Sequence, residues 1–214
     1  MNIIVTCGPS YEPIDDVRRI TNFSTGHLGI TLTNTLTDAG HRVFCLKGEQ
    51  ATDPTPVRAY KTIQFGTNDD LAAKIEALIP EKIGAIFHAA ALCDFKVGAV
   101  QNESGERLKS AKFPTRGANL TLHLVPTTKV LPKLRGWFPH ARIVGWKYEL
   151  VGSREEAIRT AVTQIQEAKT DACVLNGKAY GSGFLVCHGD KSTPFSDLND
   201  LCAYFYRDFL RNDP

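Results

Sequence analysis

The chain has 214 residues, 43% of them hydrophobic and 22% charged, with a formal net charge of +2. A chain of that size can bury one sizeable core, so a single domain over 1–214 is expected. So small a charge, with lysines and arginines unclustered, leaves no electrostatic footprint for nucleic acid or for a membrane surface. The six cysteines are scattered without a Cys-x-x-Cys pair, which argues against a zinc site and against a disulfide framework. Most lie in apolar runs, as free thiols do in a reducing compartment. The chain opens directly on a strand pattern, without a basic-then-apolar leader or an apolar run of about 18 residues, so a cytoplasmic protein is expected.

In chain order, Asn2 to Cys7 reads as a buried strand that ends in a Gly8-Pro9 turn. From Asn22 to Gly29 a helical pattern opens, with Leu28, Leu32 and Leu36 on one face and Gly40 as its stop. The connection between them is about three times the half-dozen residues that a βα loop needs, and a loop of that kind usually carries function. Gly26 and Gly29 would let a phosphate approach a helix N-terminus with its unpaired N–H groups. The segment is neither a G-x-G-x-x-G fingerprint nor a P-loop. Asn22 is also positioned to cap the helix. Strands follow at His41–Gly48, near Tyr60–Phe65 and at Ala85–Ala91, with a helix over Asn68–Ile79 behind an Asn/Asp cap. The end of the Ala85–Ala91 strand, leading to Asp94, lies where ligands meet parallel sheets.

The segment Gly98–Gly117 is polar and lacks periodicity, which fits a solvated loop or an active-site flap. Beyond it, Leu120, Leu122 and Leu124 alternate, a short helix runs over Thr128–Trp137, and Ile143–Trp146 is a strand. Ser153–Lys169 is the clearest helix, with a serine ahead of paired glutamates. It leads to strand Ala172–Leu175, then to a hairpin arm from Gly183 around a Gly-Asp turn, and to a last helix over Ser196–Leu210. The fold class expected is α/β, a Rossmann-like doubly wound and mostly parallel sheet with a β-rich appendage.

The segment from Gly8 to Gly29, GPSYEPIDDVRRITNFSTGHLG, resembles the signature of the phosphopantothenoylcysteine synthetase family, the phosphopantothenate–cysteine ligases of coenzyme A biosynthesis. The segments AAALCDF, ERLKSAK, LTLHLVPTTKVL, VGWKYEL and DACVLNG follow in the family's order. The resemblance implies a ligase, unrelated to ATP-grasp enzymes, that joins 4'-phosphopantothenate and cysteine through an acyl-nucleotidylate. CTP or ATP would be the co-substrate, with Mg2+, and the protein would be a homodimer that uses its β-rich appendage as an arm. It also implies a stand-alone form, without the flavin-dependent decarboxylase domain and so without flavin.

Carried over by residue, the resemblance implies catalytic roles for Asn22, Asp94 and Arg107. It implies nucleotide contacts from Gly8, Ser10, Ser24, Thr25, Gly26, Gly29, Trp146, Lys147 and Asn176, with Lys178 nearby, and no protein metal ligands. Ala90 and Ala91 would face the substrate, and Arg18 would reach a substrate phosphate across the dimer, for which a guanidinium fork is well shaped. Each has a plainer reading: Asp94 as a cap for neighbouring N–H groups, Trp146 as a core aromatic, the glycines as a tight turn. The chain departs from bacterial members at Arg107, where an arginine stands for a flap lysine and would leave proton transfer to Lys109 or Lys112. Gln164 and Ala168 stand near two phosphate-binding lysines of those members. These changes are the support for an alternative, a catalytically weakened nucleotide-binding relative that acts as a sensor or assembly factor. A nicotinamide-dependent oxidoreductase would share the alternation, but the glycine fingerprint and a Tyr-x-x-x-Lys pair are both missing.

Overall fold

A computed structural model describes residues 1–113 and 119–211. The strands are β1 (Asn2–Cys7), β2 (Tyr11–Pro13), β3 (Arg19–Thr21), β4 (Arg42–Gly48), β5 (Lys61–Phe65), β6 (Ile83–His88), β7 (Phe95–Gln101), β8 (Arg107–Leu108), β9 (Thr121–Pro126), β10 (Arg142–Tyr148), β11 (Ala172–Asn176), β12 (Phe184–His188) and β13 (Lys191–Phe195). The α-helices are α1 (His27–Asp38), α2 (Asn68–Glu76), α3 (Leu131–Trp137), α4 (Arg154–Ala168) and α5 (Leu198–Tyr204), the last continued by a π-helical turn over Phe205–Phe209. Eight strands form the main sheet in the order β13-β12-β11-β10-β6-β1-β4-β5. From β5 to β11 every pairing is parallel, and β12 and β13 add on antiparallel.

The chain builds outward from β1 through β4 to β5, then crosses back to β6 on the other side of β1. The strand order therefore reverses between β1 and β6, and at such a switch point a crevice opens beyond the carboxyl ends of the strands. Successive side chains of a strand face opposite ways, which divides the core in two. Ile3 and Val5 pack with Leu32 and Leu36 of α1 and Leu201 of α5. Ile4 packs with Leu71 and Ile75 of α2 and Leu134 of α3 on the other face. Farther along that second face, Ala157 and Ala161 of α4 cover Cys173 and Leu175. Each fully buried leucine or isoleucine stabilises the layers by about 2 kcal/mol.

Local chemistry sets the helix ends. Ser153 caps α4 in a capping box with Glu156, and Lys169 closes it in the left-handed region at φ 53°. The α2 cap is Thr67, whose hydroxyl accepts from the Asp70 amide, and not an Asn or Asp. In α1 the N-cap is Gly26, at φ 84° and without a side-chain cap. Asn22 therefore does not cap this helix. The hairpin β12–β13 is no free arm, because β12 pairs with β11 and extends the main sheet. The polar segment from Gly98 is partly strand: its start belongs to β7 and Arg107–Leu108 to β8, in a three-stranded sheet of order β8-β7-β9. Residues 114–118 of the expected flap lie outside the described residues. The long loop after β1 is ordered by the antiparallel hairpin β2–β3.

Candidate active site

Among the described residues three cavities open at the carboxyl edge of the main sheet: one of about 410 Å³ is lined by Pro9, Asn22, Ser24, Thr25 and Gln50, and the other two lie one on each face of the β1–β6 junction. Of these two, the first, of about 400 Å³, lies on the α1 side and is lined by Gly8, Ser24, Thr25, Gly26, His27, Gly29, Ala89 and Asn176, with Phe184 and Leu198 as apolar wall. Gly8 has φ +77°, and a Cβ there would stand 2.7 Å from the Ala51 Cβ. Gly26 also has positive φ, and a Cβ on it would meet Ala51 at 3.0 Å. These two glycines bring bare backbone to the floor of the cavity. Gly29 is required for another reason. Its absent Cβ would lie 2.3 Å from the Cys7 Cβ, so helix α1 can rest on β1 only with glycine there. His27 begins α1, and its Nδ1 is 2.7 Å from the Asp53 Oδ2. The Thr55 hydroxyl and amide, and then His27, hold the Asp53 carboxyl below its ordinary value.

The second cavity, of about 500 Å³, lies on the α3–α4 side. Leu92, Leu131 and Pro132 give it an apolar wall, and Asp94, Lys129, Lys147, Gln164 and Glu167 give it charge and polarity. Lys129 donates to Asp94 Oδ1, and Lys147 Nζ stands 3.5 Å from Glu149 Oε1. Beneath them His88 is buried, its Nδ1 2.9 Å from the Thr6 Oγ1. Burial pushes the His88 pKa down to about 4, which keeps the ring neutral. Asn68 is buried at the same wall: its Nδ2 donates to the carbonyls of Cys93 and Thr128, while its Oδ1 has no partner.

Between the cavities the ends of β1 and β6 stay joined. Pro9 bridges Ala91, the Ala91 amide donates to the Gly8 carbonyl, and the Ser10 amide donates to the Ala91 carbonyl. Strand alternation then sends Ala89 into the first cavity and Ala90 into the second. Asn22 is exposed near this junction, with its Nδ2 donating to the Leu92 carbonyl at 2.8 Å.

Several expected site residues are placed differently. Ser10 is fully buried, its Oγ accepting from the Cys93 amide at 2.8 Å, so it ties the segment after β6 to the segment after β1 and lines neither cavity. The Trp146 ring packs against the α1–α5 core, 6.0 Å from the Phe205 ring, while the residue also forms part of the lining of the second cavity. Lys147 lines the second cavity and not the glycine turn. Asp94 is exposed and ion-paired with Lys129, not a buried cap. Arg107 donates to the Gly98 carbonyl at 2.7 Å, outside the lining of both cavities. Arg18 is engaged within its own chain by Asp15, at 2.5 Å, and by the Phe113 carbonyl. That guanidinium holds the Asp15 carboxyl well below the usual carboxylate range.

Lys129, His88 and His27 were not among the expected site residues. Lys129 lies inside the quoted segment LTLHLVPTTKVL, and His27 directly follows Gly26, so position within motifs was their signal. For His88 the one signal was a polar residue ending an apolar strand.

A doubly wound α/β sheet with cavities at its switch point belongs to the class whose ligand crevice lies at the carboxyl edge of the strands. The family model described as the DNA/pantothenate metabolism flavoprotein C-terminal domain matches residues 1–190. The chain belongs to that family, of which the phosphopantothenoylcysteine synthetases are members. It is 32% identical over 182 residues to the coenzyme A biosynthesis bifunctional protein CoaBC of Thermococcus kodakarensis, covering 84% of this chain and 42% of that protein. It is 24% identical to CoaBC of Escherichia coli K12, covering 97% of this chain and 46% of that protein. The chain thus spans under half the length of these relatives. The DNA/pantothenate metabolism flavoprotein of Streptococcus pneumoniae shares the fold, with a TM-score of 0.86 at 21% identity over 98% of both chains. A Cab2 variant solved in complex with phosphopantothenate-cysteine gives 0.75 at 15% identity, over 98% of this chain and 86% of that one.

Proposed function

We propose that the protein is a nucleotide-dependent ligase that joins 4'-phosphopantothenate to cysteine through an acyl-nucleotidylate. Membership of the family over residues 1–190 carries this reading, and the phosphopantothenate-cysteine bound by the Cab2 relative supports the substrate pair. A carboxylate oxygen of the acid attacks the α-phosphorus of CTP or ATP and pyrophosphate leaves. The cysteine amine then attacks the acyl carbon, the nucleoside monophosphate departs, and the amine loses a proton. The protein's part is orientation and charge stabilisation.

The cavities differ in what they fit. The larger one has an apolar wall for a base and two lysines for a polyphosphate, so it takes the nucleotide, Lys129 and Lys147 facing the leaving pyrophosphate. Magnesium enters as the nucleotide's counter-ion. The glycine cavity, with one helix N-terminus and one histidine, matches the single phosphate of the acid. Asn22, joined to Leu92 at the junction, orients the carboxyl as it is activated, with Ala90 and Ala91 beside it. This redistributes the expected contacts: Gly8, Ser24, Thr25, Gly26 and Asn176 serve the acid's phosphate, and Lys147 serves the nucleotide.

A cytoplasmic homodimer is part of the proposal. Phe95, Leu124 and Val125 are exposed on the three-stranded sheet and give a pairing surface. In such a dimer Arg18 serves a neighbouring phosphate through Nη1, since Nε and Nη2 are engaged by its own chain. The test is incubation with 4'-phosphopantothenate, cysteine, magnesium and either CTP or ATP while following pyrophosphate. Release that depends on the acid, with the amide product formed, is expected; no release with either nucleotide would favour the sensor reading.

A further inference from the structure

Asn68, the first residue of α2, is 1% exposed, yet it belongs to the lining of the second cavity. Three connections at the carboxyl edge of the sheet meet on it. Its backbone amide donates to the Oε1 of buried Glu12, in β2, at 3.3 Å. Its Nδ2 donates to the Cys93 carbonyl after β6, at 2.8 Å, and to the Thr128 carbonyl after β9, at 3.0 Å. One amide nitrogen with two hydrogens suits two facing carbonyls, and exchanging Nδ2 with Oδ1 would set three oxygens against one another. The arrangement leaves Oδ1 buried without a partner, a state that lowers stability. What Asn68 holds together therefore accounts for its presence better than the stability it contributes.

The two carbonyls belong to the peptides directly ahead of Asp94 and Lys129. The side chains of that pair meet as an ion pair at the second cavity, but Asp94 is 67% and Lys129 61% exposed, so little packing fixes them. Their placement comes from the backbone. The two segments share a direct bond, from the Thr127 amide to the Asp94 carbonyl at 3.0 Å, and Asn68 adds the bridge that sets their separation. We propose that Asn68 is the positioning residue of Lys129: by holding both peptides it fixes the Asp94–Lys129 pair where a polyphosphate meets it. This rests on the ligase reading with the nucleotide in the second cavity, and Asn68 itself is assigned no contact with substrate.

Steady-state kinetics of Lys129→Ala, Asn68→Ala and the double variant, with each substrate varied in turn, test it. Thr67→Ala is the reference, since it removes the α2 cap and loosens the same helix end without touching either carbonyl. Lys129→Ala is expected to raise the KM for CTP or ATP about tenfold and Asn68→Ala about fivefold, with the KM for 4'-phosphopantothenate within about twofold of the parent. The double variant should match Lys129→Ala, because Asn68 acts through Lys129. Thr67→Ala should lower the Tm and leave both KM values in place. Asn68→Ser keeps one donor, should fall between the parent and Asn68→Ala, and carries the same comparison where the alanine variant does not fold. A double variant whose nucleotide KM rises by the product of the two single effects overturns the inference, as does an unchanged nucleotide KM in Asn68→Ala beside a raised one in Lys129→Ala; in both cases the cavity reading stands. If Thr67→Ala raises the nucleotide KM as much as Asn68→Ala does, the effect is that of a loosened helix and the inference falls. An unchanged nucleotide KM in Lys129→Ala overturns the cavity reading and the inference with it.

Discussion

The two cavities flanking the β1–β6 junction are made of residues that neighbour one another in sequence, yet they are chemically opposite. On the α1 side the wall is two positive-φ glycines, neutral Ser24, Thr25 and Asn176, an apolar side of Phe184 and Leu198, and one tethered histidine. On the α3–α4 side it is lysines, carboxylates and an apolar slab over a buried neutral histidine. Ala89 and Ala90 separate to different cavities, because a strand turns successive side chains opposite ways. A single edge can in this way hold a small phosphate by shape and a polyphosphate by charge.

The largest expected effect bears on the junction. Asn22→Asp loses the donor to the Leu92 carbonyl and puts a negative charge beside the phosphoanhydride. Turnover should fall about 100-fold, roughly 3 kcal/mol in the barrier, while the melting temperature moves by only a few degrees, since Asn22 is exposed and caps no helix. Normal turnover would remove Asn22 from the mechanism.

Packing should differ between the sides as well. An alanine Cβ at Gly29 meets the buried Cys7 Cβ at 2.3 Å, whereas one at Gly145 meets the Gln164 Nε2 at 2.8 Å and a Leu131 methyl at 3.1 Å, both at the ends of flexible side chains. Urea unfolding should show Gly29→Ala destabilised by about 3 kcal/mol and Gly145→Ala by about 1 kcal/mol. Equal costs would mean that the α1 side is no more rigidly packed than the other.

Acid sharpens the comparison, because His88 belongs to the lysine side alone. Its folded pKa, about 4, lies below the ordinary value of 6.5. The unfolded chain therefore binds the proton more readily, and the stability present above about pH 6.5 is lost as pH falls toward 4, by at most about 3 kcal/mol. Denaturant midpoints between pH 4 and 7 should fall in the parent protein and flatten in His88→Gln. Parallel curves would assign the acid sensitivity to other groups.

The smallest effect is a control at the C-terminal end of α4, just beyond the wall of the lysine cavity. Lys169 ends α4 with φ 53°, so Lys169→Gly should stabilise the protein by about 0.5–1 kcal/mol, read as a higher Tm, with activity unchanged. A lower Tm would mean that the lysine side chain contributes packing at this helix end.

What could be read in the sequence was what depends on near neighbours. Strand β1 and helix α4, with its capping box, follow from apolar spacing and from Ser153 and Glu156 three residues apart. The carboxyl end of β6 could be placed as a ligand edge because the alternation of strands and helices implies a parallel sheet. What was hidden depends on partners far along the chain. The acceptor for Asn22 is Leu92, 70 residues away, and Ser10 is consumed by Cys93, 83 residues away. Without those partners an asparagine before a helix looks like a cap and a serine after a Gly-Pro turn looks like a phosphate ligand. That Trp146 would pack against the α1–α5 core while also lining the second cavity depended on the register of β10 beside β6. The hairpin β12–β13 read as an arm because nothing local to it records that Leu185 and Val186 pair with β11.

The division of labour between the cavities is tested most directly by amide chemical shifts of the 15N-labelled protein, titrated separately with the magnesium complex of CTP or ATP and with 4'-phosphopantothenate. The account predicts that the nucleotide shifts the amides of Leu92, Lys129 and Lys147, and that the acid shifts those of Gly26, His27 and Asn176. Nucleotide shifts concentrated at Gly26 and His27, with Lys129 and Lys147 unmoved, would contradict it.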